Sequence, residues 1–181
     1  MFMIIIFLVI YSLIGYIGDA TVYLLGSIFV LASITDFFDG YIARKHNLVT
    51  TFGKFIDPLA DKLLVISALF VLSDLYAKAG FTMTYWMPFW VVLIIVIREL
   101  MVTSIRLVAL GDGLVVAASN LGKYKTFATM ATITYYFFIM PIDTQIIQVI
   151  GIVLVSISVL LTLVSGIDYF MKNKSIITKS I

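Results

Sequence analysis

The chain has 181 residues, of which 62% are hydrophobic and only 12% charged, whereas a soluble domain carries about 25% charged residues. That balance excludes an ordinary water-soluble fold, and a net charge of +2 gives no electrostatic reason to expect nucleic acid as a partner. The absence of cysteine removes disulfides, thiolate metal sites and cysteine nucleophiles together.

A helix that crosses a hydrocarbon core of about 30 Å needs roughly 17–25 mostly apolar residues, and six such runs follow one another along the chain. The first, residues 1–18, is free of charge and ends before Asp19. It lacks the basic start and small-residue cleavage pattern of a signal peptide, so a retained span is expected. The second, 21–44, is apolar until Asp36. The third, 57–74, places Pro58 in its expected first turn, where a missing N–H costs little, and Gly53 is expected to turn the preceding loop back toward it. The fourth, 85–110, opens on Tyr85, Trp86 and Trp90, an interfacial aromatic belt. A loop over 111–123 leads to the fifth, 124–140, which Pro141 and Asp143 end; the sixth, 145–171, runs into a Lys-containing tail. The expected fold is therefore all-α and integral to the membrane, one domain of six transmembrane helices over 1–181, with no room between spans for a soluble domain.

Lysine and arginine are retained on the cytoplasmic side of a membrane. Arg44, Lys45 and Lys54 fall in one loop, Lys123 and Lys125 in another, and Lys172, Lys174 and Lys179 in the tail, three regions that share one side if there are six spans. The opposite loops hold Asp19, Asp74 and Asp143 with Lys78 alone. Both termini are expected in the cytoplasm, in a multi-pass protein of the cell membrane.

Four aspartates then stand where hydrocarbon is expected. An ionised group within a span costs about 2.5–3.5 kcal/mol or more unless paired, hydrated or bound to a cation, so such a cluster points to function. Asp36 and Asp39 are three residues apart and Asp57 and Asp61 four apart, which puts each pair on one helix face, about one turn apart. Two such pairs at the cytoplasmic ends of the second and third helices make a four-carboxylate cup. All-oxygen ligands with no histidine among them suit Mg²⁺ or Mn²⁺ rather than zinc. Two ions about 3.5–4 Å apart can bridge a phosphate and stabilise both oxygens of an in-line displacement. Gly40 and Ala43 leave the backbone face open to a ligand, and Arg44 offers a planar, permanently charged fork for a phosphate.

These residues carry a resemblance. Asp36, Asp39, Gly40, Ala43, Arg44, Gly53, Asp57 and Asp61 match all eight fixed positions of the CDP-alcohol phosphatidyltransferase signature at its spacing. The six spans extend the likeness over nearly the whole chain. Ile97, Arg98 and Glu99, the later Arg106 and the stretch 121–126 resemble a bacterial subfamily, the phosphatidylglycerophosphate synthases. The resemblance implies transfer of a phosphatidyl group from CDP-diacylglycerol to the 1-hydroxyl of sn-glycerol 3-phosphate, with release of CMP. By matching position, Asp36 and Asp57 would bridge two metal ions, Asp39 would complete one and Asp61 the other, and Asp61 would also be the general base. Gly40, Ala43, Arg44, Thr50 and Gly53 would form the CDP-diacylglycerol site. A homodimer is likewise implied.

The acceptor's phosphate needs cations that an acidic cup lacks. Arg98 and Arg106 are eight residues apart, about two helical turns, so both can face one groove, and Lys123 and Lys125 open the fifth span. Together they are expected to hold the phosphate. The competing role for Arg98 is a buried pair with Glu99 or another acid, and for the lysines that of positive-inside anchors.

Other features read more simply. His46 is a solvated loop residue. The run Gly122, Lys123, Tyr124, Lys125, Thr126 matches a phosphate loop only in part, because Ala117 stands where that motif needs glycine. Asn173, Lys174 and Ser175 form a glycosylation sequon in an expected cytoplasmic tail, a chance match. Family members begin with a short amphipathic helix bearing Pro-Asn-x-x-Thr-x-x-Arg, and here apolar sequence starts at Met1 with no Lys or Arg before Arg44. The expectation is a domain without that helix, weakened in donor binding or membrane anchoring more than in metal binding. Three alternatives stay open: a sibling enzyme using inositol phosphate, serine or phosphatidylglycerol; an intramembrane prenyltransferase; and a divalent-cation transporter.

Overall fold

The computed structural model describes residues 2–14, 19–45, 51–78, 87–111, 119–142 and 144–174, excepting the side chains of 2, 3, 14, 19, 37, 39–41, 43, 44, 51–61, 78 and 110. Six α-helices follow in order: α1 Phe2–Ile14, α2 Asp19–Lys45, α3 Thr51–Lys78, α4 Phe89–Gly111, α5 Asn120–Phe138 and α6 Gln145–Lys172, with a 3₁₀ turn Met140–Ile142 before α6. No strand occurs among the described residues. The six apolar runs thus each became one helix.

The boundaries differ most at α3, which begins at Thr51 and runs through Pro58. Pro58 is therefore inside the helix and not in its first turn, and Gly53 is helical instead of forming the loop's turn. Proline removes one i→i−4 bond and crowds the carbonyl four residues back. Here that carbonyl belongs to Lys54, still in the first turn of α3, where the backbone has most freedom to adjust. Tyr85, Trp86, His46 and Asp143 lie outside the described residues, as do the sequon's Ser175 and most of the loop before α5. Trp90 is exposed in the first turn of α4, as an interfacial aromatic would be.

The inner face of α6 shows what kind of surface surrounds the bundle. Its buried residues are Gln148, Gly151, Val155, Ser158, Thr162, Ser165 and Tyr169, a stripe alternating by three and four and made mostly of small or polar side chains. Ile146, Val149, Val153, Leu160, Val164 and Met171 point outward and are exposed. A soluble helix does the reverse. Small residues inside and aliphatic ones outside are what helices in lipid use, because close backbone approach and interhelical hydrogen bonds replace the hydrophobic drive. Thr132 Oγ1 and Ser158 Oγ lie 2.8 Å apart between α5 and α6, one such bond. α6 is also long and apolar enough to cross a membrane, the one described helix that passes on length and composition together.

α5 occupies the middle of the assembly, packing on α6, α2 and α3, while α4 packs between α3 and α6. Gly26 lets α2 approach α5: a Cβ there would meet the Cβ of Phe137 at 2.6 Å. Around that contact Phe7, Phe29 and Phe137 interlock, with ring centroids 6.5 Å and 6.0 Å from Phe137. Tyr76 Oη donates to the carbonyl of Tyr136 at 2.7 Å, so the buried hydroxyl is satisfied without water.

Candidate functional site

The family-type motif straddles two consecutive helices. Asp36, Asp39, Gly40, Ala43 and Arg44 lie in the C-terminal part of α2, and Gly53, Asp57 and Asp61 in the N-terminal part of α3. Both stretches are α-helical through the aspartates, so the one-turn spacing within each pair holds on the backbone. Asp36 is half-buried. Thr50, the side chains of Asp39, Asp57, Asp61, Ala43 and Arg44, and the surroundings of Gly40 and Gly53 lie outside what the structure describes. Four carboxylates and no softer ligand fit a hard divalent ion in donor chemistry.

Four of the described charges gather at Glu99. This carboxylate is 1% exposed on α4, and cations from three helices converge on it. Lys62 of α3 places Nζ 2.7 Å from Oε2, Arg98 of α4 places Nη1 3.0 Å from Oε1, and Lys125 of α5 also bonds Oε1. Lys125 is 2% exposed and Lys62 24%. The competing role foreseen for Arg98, a buried pair with Glu99, is present, and Lys125 shares it.

Local sequence explains why these groups meet. Ser119 caps α5, its hydroxyl accepting the Gly122 N–H at 3.0 Å, so the run resembling a phosphate loop is a helix start that turns Lys125 inward. Lys123, two residues earlier, is exposed on another face and outside the cluster. Arg98 passes between two glycines. A Cβ on Gly166 would lie 3.1 Å from its Cγ, and one on Gly122 would lie 3.7 Å from Nη2. Its Nε is buried and has no partner.

Arg106 stands two turns further along α4 and is not part of the Glu99 group. Its guanidinium carbon sits 5.8 Å from the ring centroid of Tyr169, near enough for a cation–π contact, and its buried Nε has no partner among the described residues. Tyr169 Oη is unpartnered as well. Arg98 and Tyr169 border a cavity of about 430 Å³ between α4 and α6, whose mostly apolar lining includes Ile97, Met101, Leu163 and Ile167.

The described part of the arrangement is thus a half-buried Asp36 on α2 and cations of α3, α4 and α5 gathered on Glu99. Residues 1–164 match the model of the CDP-alcohol phosphatidyltransferase family. The chain belongs to that family. Among its relatives, a Bacillus subtilis protein named CDP-diacylglycerol–glycerol-3-phosphate 3-phosphatidyltransferase is 44% identical over 87% of this chain and 79% of its own length. A Rickettsia typhi protein of the same name is 36% identical over 90% of this chain and 88% of its own. A probable phosphatidylglycerophosphate synthase from Mycobacterium tuberculosis is 40% identical over 79% of this chain, which spans 62% of that relative.

For this CDP-alcohol phosphatidyltransferase, Lys62 and Tyr169 are the polar groups that sequence reasoning passed over. Lys62 had one signal, its position directly after Asp61 at the head of an otherwise apolar run. Tyr169 had none, being one of two adjacent aromatics near the end of α6.

Proposed function

We propose that this protein transfers a phosphatidyl group from CDP-diacylglycerol to sn-glycerol 3-phosphate, giving phosphatidylglycerophosphate and CMP in phospholipid biosynthesis. The observation that carries the reading is the full eight-position motif on two consecutive helices, supported by relatives named for this reaction at 36–44% identity. In the reaction the acceptor's 1-hydroxyl oxygen forms a bond to the phosphatidyl phosphorus and the pyrophosphate bond breaks, CMP leaving with its electron pair. Asp61 takes the hydroxyl proton. Asp36, Asp39, Asp57 and Asp61 would hold two divalent ions, Mg²⁺ or Mn²⁺, which when bound neutralise the pyrophosphate and acidify the hydroxyl. Gly40, Ala43, Arg44, Thr50 and Gly53 form the donor site, and Arg98, Arg106, Lys123 and Lys125 the acceptor site.

The setting of this chemistry is six membrane spans with both termini in the cytoplasm, in a homodimer within the bacterial cell membrane. Cations in excess around Glu99 favour a phosphorylated acceptor over serine. The test is mass-spectrometric detection of products from the purified chain given CDP-diacylglycerol, magnesium and a mixture of glycerol 3-phosphate, inositol phosphate and serine. Phosphatidylglycerophosphate and CMP are expected. A product from another acceptor alone would refute the assignment.

A further inference from the structure

Glu99 carries more positive charge than a structural ion pair requires. Among the described residues three cations, Lys62, Arg98 and Lys125, share one carboxylate, so with every one of these groups ionised they hold two positive charges in excess. A buried carboxylate needs a partner, but a second and third cation add desolvation and mutual repulsion to the cost. Such an excess is sustained where an anion completes the site. A phosphate monoester carries about −1.5 to −2 near neutral pH, which balances it.

Two further observations point to a ligand. Arg98 has a buried Nε with no partner among the described residues, although its Nη1 is engaged. Lys62 is the open member of the group, 24% exposed where Lys125 is 2% exposed, and it follows Asp61 directly on α3. Adjacent Cα atoms are about 3.8 Å apart, so α3 carries the proposed base and a cation of this cluster within the length of a three-carbon phosphate.

We propose that Glu99 is the positioning residue of the acceptor site and that Lys62 belongs to that site. Glu99 draws Lys62, Arg98 and Lys125 from three helices to one point. The phosphate dianion of the acceptor supplies the missing negative charge, and Lys62 sets its distance from Asp61. The inference rests on the functional reading above, in that the acceptor carries a phosphate.

The test uses the purified full chain in lipid nanodiscs, with Lys62→Met, Glu99→Gln and Glu99→Asp. Two readouts are taken: initial rates with each substrate varied in turn, and calorimetric binding of glycerol 3-phosphate without donor. Lys62→Met is expected to raise the acceptor's KM and Kd about ten- to hundredfold, the range for losing a hydrogen bond to a charged group, with the KM for CDP-diacylglycerol unchanged. Glu99→Gln should give the same selective rise, and Glu99→Asp, which keeps the charge, should recover part of it. Acceptor KM and Kd unchanged in Lys62→Met would overturn the proposal. So would a fall in kcat and thermal midpoint in both Glu99 variants with acceptor affinity intact, the signature of a brace. If Glu99→Gln does not fold, Lys62→Met decides alone, since its carboxylate partner keeps two cations. A wild-type chain that makes no phosphatidylglycerophosphate would count against the functional reading, while the calorimetric arm would still read the phosphate site.

Discussion

Two of the places where α3 and α5 come together are opposites. Near one end, Tyr76 donates a neutral hydrogen bond to the carbonyl of Tyr136, within an aromatic core that includes Phe7, Phe29 and Phe137. Toward the other, Lys62 and Lys125 meet across Glu99. Residues 62 and 76 on α3, and 125 and 136 on α5, put these contacts about 16–21 Å apart along the helices. In the first, the buried Tyr76 hydroxyl has a partner and the rings fill space. In the second, the charge of the described residues is unbalanced and Arg98 Nε has no partner among them. A bundle needs only the first kind to stand. The second is costly in a low-dielectric setting, which is the ground for the anion site proposed there.

The comparison is sharpest if chemistry can be removed without touching the packed region. Asp61→Asn keeps volume and removes charge at the proposed base, and turnover should fall by at least 10²–10⁴-fold, the usual worth of general-base catalysis. Circular dichroism and thermal midpoint should stay those of the wild type. Near wild-type turnover in this variant would remove Asp61 from the mechanism.

The converse change breaks packing and spares chemistry. Gly26→Ala places a methyl 2.6 Å from Phe137 Cβ, an atom fixed to the α5 backbone that no rotamer change can move. α2 and α5 must separate, at a cost of about 1–3 kcal/mol typical of overpacking. A lower unfolding midpoint is expected, with kcat per folded molecule preserved. Unaltered stability would mean that the α2–α5 contact is looser than the distance implies.

Arg106 lies between these extremes. Arg106→Ala removes the guanidinium above Tyr169 and a cation proposed for the acceptor, and should raise the KM for glycerol 3-phosphate about tenfold while leaving that for CDP-diacylglycerol unchanged. A rise in donor KM instead would move Arg106 to the other substrate.

How much of this could be read from the residues alone follows from the range of each interaction. The aspartate pairs were legible because a helical turn is local, and spacings of three and four residues mean the same in any helix. The six helices were legible because apolar runs of span length have few other solutions. The Glu99 cluster was only half legible. Arg98 is its chain neighbour, but Lys125 is 26 residues away, and whether a lysine faces inward or anchors at the interface depends on how its helix is rotated. Neighbouring surfaces set that rotation, through features such as Gly26 against Phe137 and the small-residue stripe of α6. Pro58 was misplaced for a related reason: a proline marks strain within one turn, but the preceding residues decide whether the helix begins there or earlier.

The smallest predicted effect isolates burial as the variable. Asp168 and Lys172 form an ion pair one turn apart on α6 at 2.8 Å, similar in length to Lys62 with Glu99, but Lys172 is 64% exposed. The order acid then base at i,i+4 is the favourable one, and a cation in the last turn complements the helix dipole. Solvent screens both gains, so Lys172→Ala should change stability by no more than about 0.5 kcal/mol, an effect that shrinks further with added salt. Kinetics for both substrates should be unchanged. If Lys172→Ala altered acceptor KM as Lys62→Met is expected to, the effect would belong to overall positive charge near the membrane surface, and the contrast between a packed region and a purpose-built cationic site would lose its basis.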